Sequence, residues 1–253
     1  MSVFNHYALY YDLLYKDKNY AAEADYIHQL IQTYRPSSQS ILELGCGIGL
    51  HAALLAEKKY LVHGIDQSED MIKKALIRKA SSSKLSFAQA DVRDYRSDEK
   101  YDVVISIFHV MSYQITNEDL LAAFKTAQTH LKPGGIFIFD CWYGPAVLTE
   151  PPVVREKRME DDIISVVRIA EPTMYPNQNC VDVNYTVRIR EKNTDKVEEI
   201  KETHKMRYLF QPEIEQMLSL SELSLINAQE WLSGSELNSS AWNGCFVAVG
   251  KTK

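Results

Sequence analysis

The stretch Ile41-Leu42-Glu43-Leu44-Gly45-Cys46-Gly47-Ile48-Gly49 decides the fold. A short apolar strand enters a glycine-rich turn, and the turn opens the helix-like segment Leu50-His51-Ala52-Ala53-Leu54-Leu55-Ala56. Glycines permit positive φ and let a ligand approach the backbone with no Cβ in the way. The free N–H groups and positive dipole end of the helix attract a carboxylate or phosphate. A glycine turn can also merely link strand to helix, so the tips of the next strands decide between the two roles. Leu61 to Asp66 reads as the next strand and ends in an acid, about 20 residues past the glycine turn, where a dinucleotide-type fold holds ribose hydroxyls. Ser68 is better placed than Asp66 to cap the following helix. A third strand, Leu85 to Ala90, runs into Asp91-Val92-Arg93. Three consecutive strand tips thus carry glycine, acid and acid, the makings of a nucleoside site.

Composition narrows the classes. At 253 residues with a formal net charge of −6, the chain can bury a sizeable core but lacks the basic excess that nucleic-acid binding rests on. Its four cysteines, Cys46, Cys141, Cys180 and Cys245, are scattered, which argues against a zinc site or a disulfide framework, and no metal is expected. The first residues lack a basic and apolar leader, and no apolar run reaches 18 residues, so the expectation is a cytoplasmic protein that does not enter the membrane.

Further along, Tyr7 to Tyr20 is an aromatic prelude, followed by a helix over Ala21 to Tyr34 with Ala24, Ile27, Leu30 and Ile31 on one face. The prelude has no place in the sheet and is free to fold over a ligand. Ser68, Glu69 and Asp70 start a helix with Met71, Ile72, Ala75 and Leu76 as its apolar face. Tyr101 to Ile107 is a strongly apolar fourth strand. Beyond its tip, where ligands bind in open α/β sheets, stand His109 and Tyr113, both site candidates. Asn117 opens a helix, Pro133-Gly134-Gly135 stops it, and Ile136 to Asp140 is the fifth strand. The character then changes. Asp161 to Ile169, Val181 to Ile189 and Ile200 to Phe210 read as three antiparallel strands, two of them strictly alternating. Pro212 suits the first turn of a helix, and two strands, Leu223 to Leu232 and Gly244 to Gly250, close the chain.

Leu50 stands where the dinucleotide fingerprint wants its third glycine, and Glu43 lies two residues before the first glycine. The stretch resembles motif I of class I S-adenosylmethionine-dependent methyltransferases, a likeness that covers about residues 40–140 and the closing segments. It implies an α/β fold: a Rossmann-like core with a mostly parallel seven-stranded sheet, its last strand antiparallel, here carrying an inserted antiparallel sheet. It also implies S-adenosylmethionine as cofactor, with the methionine part on the glycine loop, the ribose at Asp66 and the adenine amino group at Asp91. Tyr20, Glu43, Gly45, Gly47, Gln67, Met71, Val92 and Phe108 complete the implied cofactor set. The expected organisation is a helical lid over 1–39, the core over 40–150, the inserted sheet over 151–210 and a final helix and hairpin over 211–253.

The flanks are similar to sugar-nucleotide N,N-dimethyltransferases of deoxyaminosugar pathways, through Tyr7-Ala8-Leu9-Tyr10-Tyr11-Asp12-Leu13-Leu14-Tyr15, Asp17 to Ala24, Ser112-Tyr113 and Trp142-Tyr143. By that likeness Tyr11 lies near the transferred methyl and Tyr113 near the acceptor, while His109 is a catalytic candidate from its place beyond the fourth strand alone. Tyr15, Trp142 and Tyr143 join the substrate side, and the inserted sheet helps bind a nucleotide sugar and forms a homodimer interface. One departure stands out. Those enzymes tend to place an arginine just before the last strand, whereas this chain has Ser240-Ala241-Trp242-Asn243. Trp242 could stack a base or sugar but cannot neutralise a diphosphate, leaving Arg155, Arg158, Arg168 or Arg207 for that task.

Methyl transfer from a sulfonium is an in-line displacement that alignment in a dry pocket can largely accelerate, and an amine acceptor must pass its proton to a tyrosine, a histidine or water. The expected activity is methylation of a small molecule, foremost the amino group of a nucleotide-linked amino sugar. O-methylation of a sugar or metabolite and a non-catalytic S-adenosylmethionine-binding protein remain as alternatives. A nucleic-acid methyltransferase is disfavoured by charge and by Phe108-His109-Val110-Met111 standing where an Asn/Asp-Pro-Pro-aromatic motif belongs.

Overall fold

A computed structural model describes residues 13–79 and 82–250. Helix α1 (Tyr20–Tyr34) precedes β1 (Ser40–Leu44), α2 (Leu50–Glu57), β2 (Leu61–Asp66), α3 (Glu69–Lys79), β3 (Leu85–Gln89) and β4 (Tyr101–Ser106). Then come α4 (Asn117–His130), β5 (Leu131–Tyr143) and α5 (Gly144–Thr149). The inserted strands are β6 (Arg155–Glu160), β7 (Ile164–Tyr175), β8 (Cys180–Glu191) and β9 (Val197–Leu209), and α6 (Gln211–Leu220), β10 (Leu223–Glu230) and β11 (Asn243–Gly250) close the chain. Strands β3, β2, β1, β4 and β5 pair in parallel in that order, β11 pairs antiparallel with β5, and β10 with β11. This is the class I methyltransferase sheet.

Strand alternation divides the core in two. Leu42, Leu44, Val104, Phe137, Phe139 and Phe246 face one layer with α4 and α6, while Ile41, Val103, Ile105, Ile138 and Val247 face the other with α1 and α2. Each central strand is apolar on both faces because each face is covered by helices. The cleft opens at the strands' carboxyl ends, where the tips of β1, β2 and β3 bring Gly47, Asp66 and Asp91 to one rim.

Several sequence expectations shift. Helix α1 begins at Tyr20, where the Asn19 side chain accepts from Ala22 N at 3.0 Å. The cap of α4 is Thr116, not Asn117; its Oγ1 accepts from Asp119 N at 3.1 Å. Leu76 is 42 % exposed and lies off the buried face of α3. The insert holds four strands rather than three: β6 has no counterpart in the expected set, and Asp161 belongs to a turn, its Oδ1 accepting from both Ile163 N and Ile164 N at 2.8 Å. The inserted sheet is also joined to the core, because β9 pairs in parallel with the end of β5 through Trp142↔Tyr208 and Tyr143↔Leu209. That junction sets the insert's face beside the active edge. Among the described residues no helix is long and apolar enough to cross a membrane.

Candidate active site

The glycine loop is pinned from below. Gly45 N and Cys46 N both donate to Ile65 O, at 2.8 and 2.9 Å, and Gly47 N donates to Asp66 Oδ2 at 2.9 Å. Asp66 Oδ1 accepts from Ser68 N at 2.8 Å, and Ser68 Oγ in turn receives Met71 N at the start of α3. Asp66 thus ties the loop to the second strand tip. Burial raises its pKa, opposed by the hydrogen bonds from Ser68 and Gly47. Gly47 has φ +52°, and a Cβ built there would meet no atom within 4 Å. The missing side chain leaves a cradle that opens on a cleft of about 670 Å³. At Gly45 (φ +78°) a Cβ would sit 2.6 Å from Val110 Cγ2, so that glycine serves packing.

Asp91, at the third tip, is held by Arg93, whose Nε donates to Oδ1 at 2.9 Å and whose Nη2 donates to Oδ2 at 2.5 Å. Arg93 also reaches Asp119 at 3.0 Å. The Arg93 hydrogen bonds keep the Asp91 carboxyl below the usual range. Under the loop lies a buried polar chain. Lys18 pairs with Glu23, Glu23 Oε2 is 2.6 Å from His51 Nε2, and His51 Nδ1 is 4.0 Å from Glu43. Glu43 Oε2 is buried without a hydrogen-bond partner, and burial together with the charge of Asp66 pushes its pKa up to about 8. Burial opposes ionisation of Glu23, yet the bonds from His51 and Lys18 outweigh it and hold that carboxyl below its ordinary value.

The far half of the cleft is aromatic. Phe108 and His109 follow β4 with φ of +67° and +64°, an uncommon left-handed pair in non-glycine residues that costs energy and marks a constrained site. Asp140 Oδ1 accepts from His109 N at 2.9 Å. His109 Nδ1 lies 2.7 Å from Asp140 Oδ2, though out of hydrogen-bond alignment. Tyr15 meets the Phe108 ring edge-on at 5.1 Å, and the Lys18 ammonium sits 4.3 Å from the Phe108 centroid and 4.7 Å from that of Tyr20. Tyr113 Oη lies 2.7 Å from His204 Nδ1.

Tyr15, Tyr20, Gly45, Gly47, Asp66, Gln67, Met71, Asp91, Val92, Phe108, His109, Tyr113 and Trp142 all line this one cleft. Three expected residues do not. Glu43 is buried beneath the loop. Tyr143 caps α5 and packs into the α4 side of the core, and Trp242 stands behind Trp142, edge-on at 5.4 Å. Tyr11 lies outside the described residues. Of the arginines expected to face a diphosphate, Arg207 is buried against Asn117 and Glu213, whereas Arg168 stacks 4.6 Å over the Tyr185 ring with its buried Nε lacking a hydrogen-bond partner. The sequence reading missed His51 and Arg93, and Tyr185, His204 and Met206 from the insert. Alternation in β8 and β9 marks these last three as sharing a face, the only signal that could have found them.

The methyltransferase domain family matches residues 41–135. The chain is 29% identical over 241 residues to the dTDP-3-amino-3,4,6-trideoxy-alpha-D-glucopyranose N,N-dimethyltransferase of Streptomyces venezuelae, across 94% of this chain and 95% of that enzyme. Its structure resembles that of Streptomyces venezuelae DesVI with a TM-score of 0.80 at 26% identity, over 99% of both chains. This chain is an S-adenosylmethionine-dependent methyltransferase. A Clostridium acetobutylicum S-adenosylmethionine-dependent methyltransferase has the same fold, with a TM-score of 0.82 at 21% identity over 98% of this chain and 99% of that one. The methyltransferase's own geometry suits the cofactor: the open cradle at Gly47 and the acid at each of the next two strand tips face a single cleft. When bound, S-adenosylmethionine supplies an electrophilic methyl group on a sulfonium. The chain's part is to hold it against an acceptor and exclude water.

Proposed function

We propose that this methyltransferase methylates the amino nitrogen of a nucleotide-linked amino sugar. The observation that carries this reading is the span of its likeness to the Streptomyces venezuelae dimethyltransferase, which runs through the insert as well as the core. The insert supplies the wall of the cleft opposite the glycine loop, with Tyr185, His204 and Met206. In this reading Gly45, Gly47, Tyr20, Asp66, Gln67, Met71, Asp91, Val92 and Phe108 hold the cofactor, with Glu43 supporting the loop from beneath. Tyr15, Tyr113, His109 and Trp142 surround the acceptor, and Arg168 is the candidate partner for its phosphates.

The four buried, unpaired cysteines accord with a reducing cytoplasm. The open edge of β6, with Val153, Val154 and Ile163 exposed nearby, is compatible with a homodimer through the insert, which light scattering would detect. The function itself is tested by incubating the protein with S-adenosylmethionine and two dTDP-sugars that differ only in an amino or a hydroxyl group. Mass spectrometry should find one or two added methyl groups on the amino compound alone. Methylation of the hydroxyl compound alone would make this an O-methyltransferase, and methylation of neither would refute the acceptor class.

A further inference from the structure

Three polar side chains from two elements form a row on the acceptor side of the cleft. Tyr113 ends the short 3-10 turn Val110–Tyr113, while Glu202 and His204 are two residues apart on β9 and so share a face. Tyr113 Oη is 2.7 Å from His204 Nδ1, and His204 Nε2 is 3.5 Å from Glu202 Oε2. Both strand residues are buried, Glu202 at 9% and His204 at 4% exposure. Desolvating a carboxylate and an imidazole in a strand that only filled space would be costly. The titratable and charged neighbours are Tyr15 from the N-terminal segment, Tyr185 from β8 and Arg168 from β7, beside Glu202 itself. Burial raises the Tyr113 phenol well above its ordinary range, helped by Tyr15, Tyr185 and Glu202 and opposed by Arg168. With the Glu202 carboxylate beside Nε2, the tautomer that suits both contacts carries its hydrogen on Nε2 and leaves Nδ1 to accept from the Tyr113 hydroxyl.

We propose that Tyr113, His204 and Glu202 form a proton-accepting array for the acceptor amine. It rests on the amino-acceptor reading above. An amine that arrives as an ammonium gives a proton to Tyr113 Oη while the phenol hydrogen passes to His204 Nδ1. The nitrogen gains a free electron pair, and the positive charge moves to an imidazolium facing the Glu202 carboxylate. No further reactant is needed, and the proton returns to solvent when product leaves. Tyr113 touches the amine; His204 and Glu202 are positioning residues that act through it.

His204→Asn tests this, because the amide oxygen can accept from Tyr113 near the place of Nδ1 but cannot take up a proton. With an amino-sugar nucleotide that the wild type methylates, kcat should fall about 100-fold at neutral pH. It should recover toward wild type as pH rises past the amine's own pKa, with the Kd for S-adenosylmethionine unchanged. A deficit equal at every pH, or none, would overturn the array. The second readout needs no substrate: nitrogen NMR of histidine-labelled protein, with the His204 resonance identified by its loss in His204→Asn. Its titration should move in Tyr113→Phe, and an identical titration with and without the phenol would also overturn the proposal. Should the wild type methylate hydroxyls and no amine, the proposed function fails and the array loses its proton donor, whereas a Tyr113-dependent His204 resonance would still mark the hydrogen bond as real.

Discussion

Replacing Gly47 with alanine separates binding from folding at the glycine loop. Gly47 has φ +52° and open space where a Cβ would stand. An L-residue in the left-handed region costs roughly 1–2 kcal/mol, and here no steric clash adds to it. In a chain of this size each kcal/mol lowers Tm by about 2–4 °C, so Gly47→Ala should melt within about 10 °C of wild type by circular dichroism. The added methyl, however, projects into the cradle, and the cofactor must retreat from the backbone. Calorimetric titration with S-adenosylhomocysteine should then show Kd raised at least about tenfold, a loss of about 1.4 kcal/mol. Gly45→Ala is the contrast. Its Cβ would fall 2.6 Å from Val110 Cγ2, and overpacking adds about 1–3 kcal/mol to the backbone strain, so its main effect should be on Tm. A Gly47→Ala protein that binds S-adenosylhomocysteine as tightly as wild type would refute the placement of the cofactor on this loop.

Glu43 makes stability pH-dependent. Its folded pKa of about 8 lies above the ordinary 4.5, so its neutral form stabilises the fold fully below 4.5, and that contribution is lost as pH rises through 8. Glu43→Gln should therefore gain thermal stability over wild type across this window, up to a ceiling of about 5 kcal/mol, and denaturation midpoints that track each other from pH 4 to 9 would contradict it. Asp66→Asn keeps the shape but sets an NH2 against one of two N–H donors. We expect Kd for S-adenosylmethionine to rise about tenfold or more, and an unchanged value would remove Asp66 from the cofactor site. Arg207→Met should cost about 1–3 kcal/mol by removing the charged partner of the half-buried Glu213, read as a fall in Tm, while leaving nucleotide-sugar binding intact. A loss of binding with no loss of Tm would return Arg207 to the acceptor site.

Much of the core could be read directly because buried parallel strands are apolar runs: the expected span of β2 is the observed one, and those of β1 and β4 agree within a residue. The three strand tips were legible for the same reason. Strand β6 was not, because Arg155 to Glu160 is an almost wholly exposed edge strand with no apolar face to alternate. Thr116 and Asn117 are both competent caps, and only the backbone geometry chooses between them. Tyr143 follows Trp142 in β5, and successive strand residues point to opposite faces, whereas Trp242, just before β11, packs edge-on behind Trp142, which screens it from the cleft. Neighbourhood in sequence placed them in a cleft that their geometry keeps them out of. The acceptor wall was hidden for a different reason. Alternation in β8 and β9 identifies one face, whereas the pairing of β9 with the end of β5 decides that this face meets the glycine loop.

The most direct test of a shared cleft is a crystal structure of the protein with S-adenosylhomocysteine and an amino-sugar nucleotide. The account predicts adenosine between Asp66 and Asp91, the homocysteine part along Gly45 to Gly47, and the acceptor nitrogen about 3 Å from Tyr113 Oη. Adenosine bound away from the two acids, or a sugar nitrogen facing solvent rather than Tyr113, would contradict it.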